Sequence, residues 1–137
     1  HVQRYDKYGN AQIDGLQFMD IDIAMAANKV LLTTERIVSN EQIRRSPDQT
    51  KIPFITVDAV VEVPFGSAPH ECYGLYEPFF DHLSMYANLT KEKSIEGATE
   101  YLQKFVYEPA DWPAFLNILG IEELLDARRR GMSIYND

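Results

Sequence analysis

The chain has a single cysteine, Cys72, in 137 residues. An internal disulfide and a cysteine-rich zinc site are therefore excluded, and the composition suits a reducing compartment, with a cytoplasmic location expected. No apolar run approaches the ~20 residues needed to cross a membrane. Basic residues are in deficit, 13 Lys and Arg against 21 Asp and Glu, for a net charge of −8. Such a surface repels phosphate backbones and argues against nucleic acid as a partner. There is no G-x-G-x-x-G, no G-x-x-x-x-G-K-[ST] and no G-x-S-x-G. His1, His70 and His82 stand far apart without H-x-x-x-H spacing, so no metal site is expected. No initiator methionine is present either. His1 enters at once what reads as a strand, so a polypeptide cut just before a sheet element is expected, with an exposed sheet edge at His1 to Tyr5.

What is present describes a globular α/β chain. Apolar residues make up 45% and aromatics 12% of the sequence, enough for one ordinary core. His1 to Tyr5 reads as a strand, Asp6 to Asn10 as a turn, and Ala11 to Ile13 as a returning strand. Asp20 is placed to cap a helix whose apolar face is Ile21, Ala24, Met25 and Asn28. Lys29 to Thr34 is a short unbroken apolar run, the texture of a strand covered on both faces. One helical turn is expected at Glu41 to Arg45 and a β-branched strand at Ile55 to Val63. Within that strand Asp58 and Glu62 share a face, with a structural role expected.

Residues 64 to 76 hold two Pro and two Gly without a period and read as an ordered loop. From Glu77 onward the chain reads as helical. One face is Phe79, Phe80, Leu83 and Tyr86, and another is Ile95, Ala98, Leu102, Phe105 and Val106. His82 is expected on a solvated face. Asp111 caps a short helix with Pro113 in its first turn. Glu122 to Arg130 has acids first and bases last, and Gly131 reads as the residue that ends it. The division expected is 1–76, an α/β sheet portion, and 77–137, a helical extension packed on the same domain.

The densest chemistry lies in the loop, at His70-Glu71-Cys72. Neighbouring residues in extended chain point to opposite faces, so these three do not converge on their own. Pro69, His70, Cys72 and Tyr73 are the candidate pocket-lining residues. Catalysis by the Cys72 thiol is not expected, because no base is placed beside it by the sequence.

Several ordered segments resemble the alpha subunit of family I CoA-transferases, most closely the glutaconate CoA-transferase branch. They are His1-Val-Gln-Arg-Tyr-Asp-Lys-Tyr-Gly-Asn-Ala-Gln12, Ala26-Ala-Asn-Lys29, Thr34-Glu-Arg-Ile-Val38 and Glu41-Gln-Ile-Arg-Arg45. Ile52 to Val61, Val63-Pro-Phe-Gly66, Pro69 and Cys72-Tyr-Gly74 complete the set. The resemblance implies the C-terminal portion of an open, mostly parallel sheet flanked by helices, with a helical C-terminal tail. It also implies CoA as a substrate rather than a bound cofactor, and acyl-CoA and a carboxylic acid as reactants. The implied partners are the N-terminal part of the alpha subunit, together with a beta subunit. In that family a beta-subunit glutamate carries CoA as a glutamyl thioester, so no catalytic residue is expected in this chain. Related folds act as CoA-ester hydrolases, ring-cleaving enzymes or decarboxylases, and a noncatalytic interaction module is the further alternative.

Overall fold

The computed structural model describes residues 1–91 and 94–133. Residues 92–93 and 134–137, part of the expected helical stretch, lie outside the described residues. Contacts divide the chain into two units: residues 1–67 with 72–74, and residues 68–71 with the chain from 75 onward.

The first unit is a five-stranded sheet. Its strands are β1 (Val2–Asp6), β2 (Ala11–Gln12), β3 (Leu31–Val38), β4 (Thr50–Ile52) and β5 (Ala59–Glu62), in the order β4-β2-β1-β3-β5. β1, β3 and β5 are parallel, while β2 runs antiparallel to β1 and to β4. The edge expected at His1 to Tyr5 is overturned. The tight turn after Asp6 returns β2 along one side of β1, and the parallel crossover lays β3 along the other. β1 is therefore the middle strand, buried on both faces by Val2, Gln3, Tyr5 and Asp6. The core is Val2, Tyr5, Ala11, Ala24, Leu32 and Ile52.

Helix α1 (Asp20–Ala26) contributes only Ala24 to full burial. Asp20 is its first residue rather than its cap, and Met25 remains exposed. Helix α2 (Asn40–Arg44) starts on a capping box, in which the Ser39 hydroxyl accepts from Gln42 N and Gln42 Oε1 accepts from Ser39 N. Two orphan amides are thereby satisfied reciprocally. The expected strand from Ile55 is shorter than read, because Phe54–Thr56 form a 3₁₀ turn first. Asp58 and Glu62 serve backbone geometry, accepting from Val30 N at 2.9 Å and Ile37 N at 2.7 Å.

Asp6 ties the turn to α2. Its Oδ1 accepts from Tyr8 N at 3.0 Å and Asn10 N at 2.9 Å. Its Oδ2 accepts from Asn10 Nδ2 at 3.0 Å and Asn40 Nδ2 at 2.7 Å. Burial pushes the carboxyl pKa up, but the bonds from Asn10, Asn40 and Tyr8 together outweigh it and hold it below the ordinary carboxylate value.

The second unit is helical: α3 (Phe80–Thr90), α4 (Ile95–Leu102), a π-helical turn (Gln103–Tyr107), α5 (Trp112–Leu119) and α6 (Ile121–Ser133). The π turn, closed by Glu108 N to Gln103 O at 2.9 Å, inserts a residue into the α period. Phe105 within the turn is buried, while Ile95, Leu102 and Val106 are exposed. Asp111 caps α5 as expected, accepting from Ala114 N at 2.9 Å. Gly131 does not end α6. It lies within the helix, where a Cβ would stand 2.5 Å from Tyr76 Cα, so a glycine is needed for close backbone approach. His82 is not solvated either. It is buried, its Nε2 is 2.9 Å from Tyr101 Oη, and its ring meets those of Tyr101 and Phe105 edge-on. Burial, helped by the charge of Lys104, lowers its pKa.

Asp6 and His82, both buried, bear on stability. Asp6→Ala strands buried amide donors and lowers stability by roughly 2–4 kcal/mol, read as a fall in the urea midpoint. The stability that Asp6 supplies is present above its unfolded pKa of about 3.9 and is lost as pH falls through its lower folded value. His82 has the same sign at higher pH, since its folded pKa also lies below the unfolded one. Its contribution is intact above about pH 6.5 and declines below it. The melting temperature should drop between pH 7 and 5, with the slope flattened in His82→Gln.

Candidate functional site

Strand register builds the one group of three histidine, cysteine or acidic side chains that is close enough to share an ion among the described residues. Val2 of β1 pairs with Thr34 of β3. Side chains alternate along a strand, so His1, Thr33 and Glu35 all project from the opposite face. His1 Nδ1 lies 2.8 Å from Thr33 Oγ1, and Nε2 lies 2.7 Å from Glu35 Oε1. The two side chains of the His1–Glu35 pair are only 10% and 9% exposed.

The loop after β5 closes over Glu35. Phe65 N donates to Oε2 at 3.0 Å and Gly66 N to Oε1 at 3.1 Å. A buried carboxylate needs such compensation, because an uncompensated charge out of water costs several kcal/mol. Phe65 adopts a φ of 60°, the left-handed region, to aim its amide. That conformation costs a non-glycine residue on the order of 1 kcal/mol, less than a hydrogen bond to a charged acceptor contributes. Gly66 packs flat on the imidazole, so that a Cβ there would collide with His1 Cε1 and stand 2.7 Å from Nδ1. Cys72 is buried beside the pair, and its sulfur, a His1 ring nitrogen and a Glu35 oxygen all lie within 4.8 Å of one another.

The four residues read from sequence as pocket-lining divide between the units. Cys72 and Tyr73 belong to the first. The Tyr73 ring lies against Gly15, and its carbonyl accepts from Gln3 Nε2 at 3.2 Å. Pro69 and His70 belong to the second, where they border a cavity of about 320 Å³ with Leu83, Tyr86, Tyr101 and Leu102. Cys72 also has a potential base nearby, which sequence spacing did not show. His1 and Glu35 were missed as a pair because a parallel pairing joins them. The alternation Thr33-x-Glu35 was the only local signal.

Gly66→Ala should lower stability by about 1–3 kcal/mol, measured by chemical denaturation. It should also separate His1 from Glu35, seen as a change in the His1 imidazole ¹⁵N shifts.

No protein-family model matches the chain. Individual proteins do. A protein of Archaeoglobus fulgidus is 45% identical over 95% of this chain, which covers 29% of that protein. The A subunit of glutaconate CoA-transferase from Acidaminococcus fermentans is 37% identical over 93% of the chain, which covers 39% of that relative. The crystal structure of glutaconate coenzyme A-transferase from the same organism superposes with a TM-score of 0.87, at 37% identity over 93% of this chain and 40% of that one. The chain thus spans between 29% and 40% of the length of these relatives. Sequence and fold agree over nearly its whole length, and over that length the chain is homologous to a C-terminal part of the A subunit of glutaconate CoA-transferase.

Proposed function

We propose that this chain is part of a CoA-transferase alpha subunit, moving CoA between an acyl-CoA and a carboxylic acid. The observation that carries this is the joint match in sequence and fold to the Acidaminococcus transferase. In this reading a glutamate on the partner beta chain attacks the thioester. The first acid leaves as CoA is taken up as a glutamyl thioester, and the second acid then receives CoA. The chain supplies scaffold, one wall of the pocket and an interface, and its own carboxylates take no covalent part. The engagement of Glu35 with two loop amides and His1 supports a holding role for it.

Surface composition supports partners. In the first unit Leu16, Phe18 and Leu31 are 80–81% exposed, apolar side chains available to a protein partner. The partners proposed are the beta subunit, together with the remainder of the alpha subunit. CoA is a substrate and not a resident cofactor. Pro69, His70, Cys72 and Tyr73 are proposed to border the acyl pocket in the whole assembly, with Cys72 packing rather than attacking. No described helix is long and apolar enough to cross a membrane, and a cytoplasmic location is part of the proposal.

A chimera tests the reading. This chain replaces the matching segment of the Acidaminococcus alpha chain, within the otherwise complete enzyme. The chimera should transfer CoA from an acyl-CoA to a free acid, while the isolated 137-residue chain shows no turnover. Cys72→Ser should cost tenfold or less, about 1.4 kcal/mol. Consumption of acyl-CoA with water as the only acceptor, or an acyl group trapped on Cys72, would contradict it.

A further inference from the structure

The cluster at the head of β1 brings together three donor types, an imidazole, a carboxylate and a thiol. We propose that His1, Glu35 and Cys72 bind one thiophilic divalent cation of the Zn²⁺ class. The imidazole nitrogen, the carboxylate oxygen and the sulfur lie within 4.8 Å of one another. Around a tetrahedral zinc such atoms stand about 3.3–3.6 Å apart, given bonds of roughly 2.0 to 2.3 Å. The separations in the cluster, 2.7 Å for the His1–Glu35 pair and at most 4.8 Å overall, bracket that range.

The surroundings match what a ligand set needs. His1 Nε2 and Glu35 Oε1, 2.7 Å apart, share a hydrogen where the cation would sit. With the cation on Nε2, the ring hydrogen moves to Nδ1 and donates to Thr33 Oγ1, already 2.8 Å away. That outer hydrogen bond fixes ring orientation, as second-shell partners do. Phe65 N and Gly66 N fix the carboxylate. Charge also balances. A neutral imidazole, a carboxylate and a thiolate together offset the two positive charges, so the buried site ends neutral. One proton, from the Cys72 thiol, is released for each cation bound by the neutral ring. Three protein donors leave a fourth position for water. The ligands come from the residue before β1, from β3 and from a loop, so no short spacing motif announces them. The proposal stands against the expectation from sequence that no metal site is present, and it does not depend on the CoA-transferase reading.

The probe is Co²⁺, titrated into the 137-residue chain with its α-amine acetylated to remove chelation by the terminus. The expected result is one Co²⁺ per chain with a thiolate-to-cobalt charge-transfer band, displaced by equimolar Zn²⁺. Cys72→Ser should abolish the band and weaken Zn²⁺ binding at least tenfold. Thr33→Val should keep the band and weaken binding about tenfold. Absence of the band in wild-type chain that is folded by circular dichroism would overturn the proposal. So would Zn²⁺ binding unchanged in Cys72→Ser, which would assign the cation to surface carboxylates.

Discussion

A carboxylate withdrawn from water must be met by donors on nearly every side, and Glu35 meets this demand with three donors recruited from two separate segments. The imidazole of His1 comes from the neighbouring strand, and the amides of Phe65 and Gly66 come from the loop beyond β5. Each bond to a charged acceptor contributes roughly 1.5–3 kcal/mol, enough to hold Phe65 in a left-handed conformation. The path of the chain out of the sheet follows from this. With Glu35 satisfied, the loop lies over β1 and β3, Gly66 covers the His1 ring, and Cys72 is buried against the pair.

Asp6 solves the same problem at the other end of β1. There the donors come from the turn and from Asn40 of α2. Two buried carboxylates thus anchor both ends of the central strand pair, one to the turn that creates β2 and one to the loop that follows β5. Both are arrangements in which removal of the acid leaves donors stranded. Buried anions of this kind constrain geometry more than they add net stability.

Local structure was legible where a short-range signal existed. The strands at Val2 and Ala11, the cap at Asp111 and the helical turn near Asn40 follow from turn chemistry, caps and apolar runs. Long-range placement was not. Nothing in His1 to Tyr5 announces a central strand, because its neighbours are fixed by a hairpin and a crossover closed elsewhere. His82 looked like a surface residue beside Asp81, yet the aromatic rings of Tyr101 and Phe105 enclose it. Gly131 carried the composition of a helix end, while its actual role is close passage past Tyr76. The ordered motifs identified the family, but they did not pair His1 with Glu35, since that contact depends on parallel register.

The organising role of Glu35 makes a direct prediction for amide hydrogen exchange. Phe65 and Gly66 lie outside the strands and donate their amides to the Glu35 carboxylate, which is expected to protect them. Their exchange should be slow, comparable to that of Val63 N, which bonds Thr34 O at 2.8 Å. Glu35→Gln should accelerate Phe65 and Gly66 selectively while Val63 stays protected. Exchange of the Phe65 and Gly66 amides at the rate of an open loop in the wild-type chain would contradict the account.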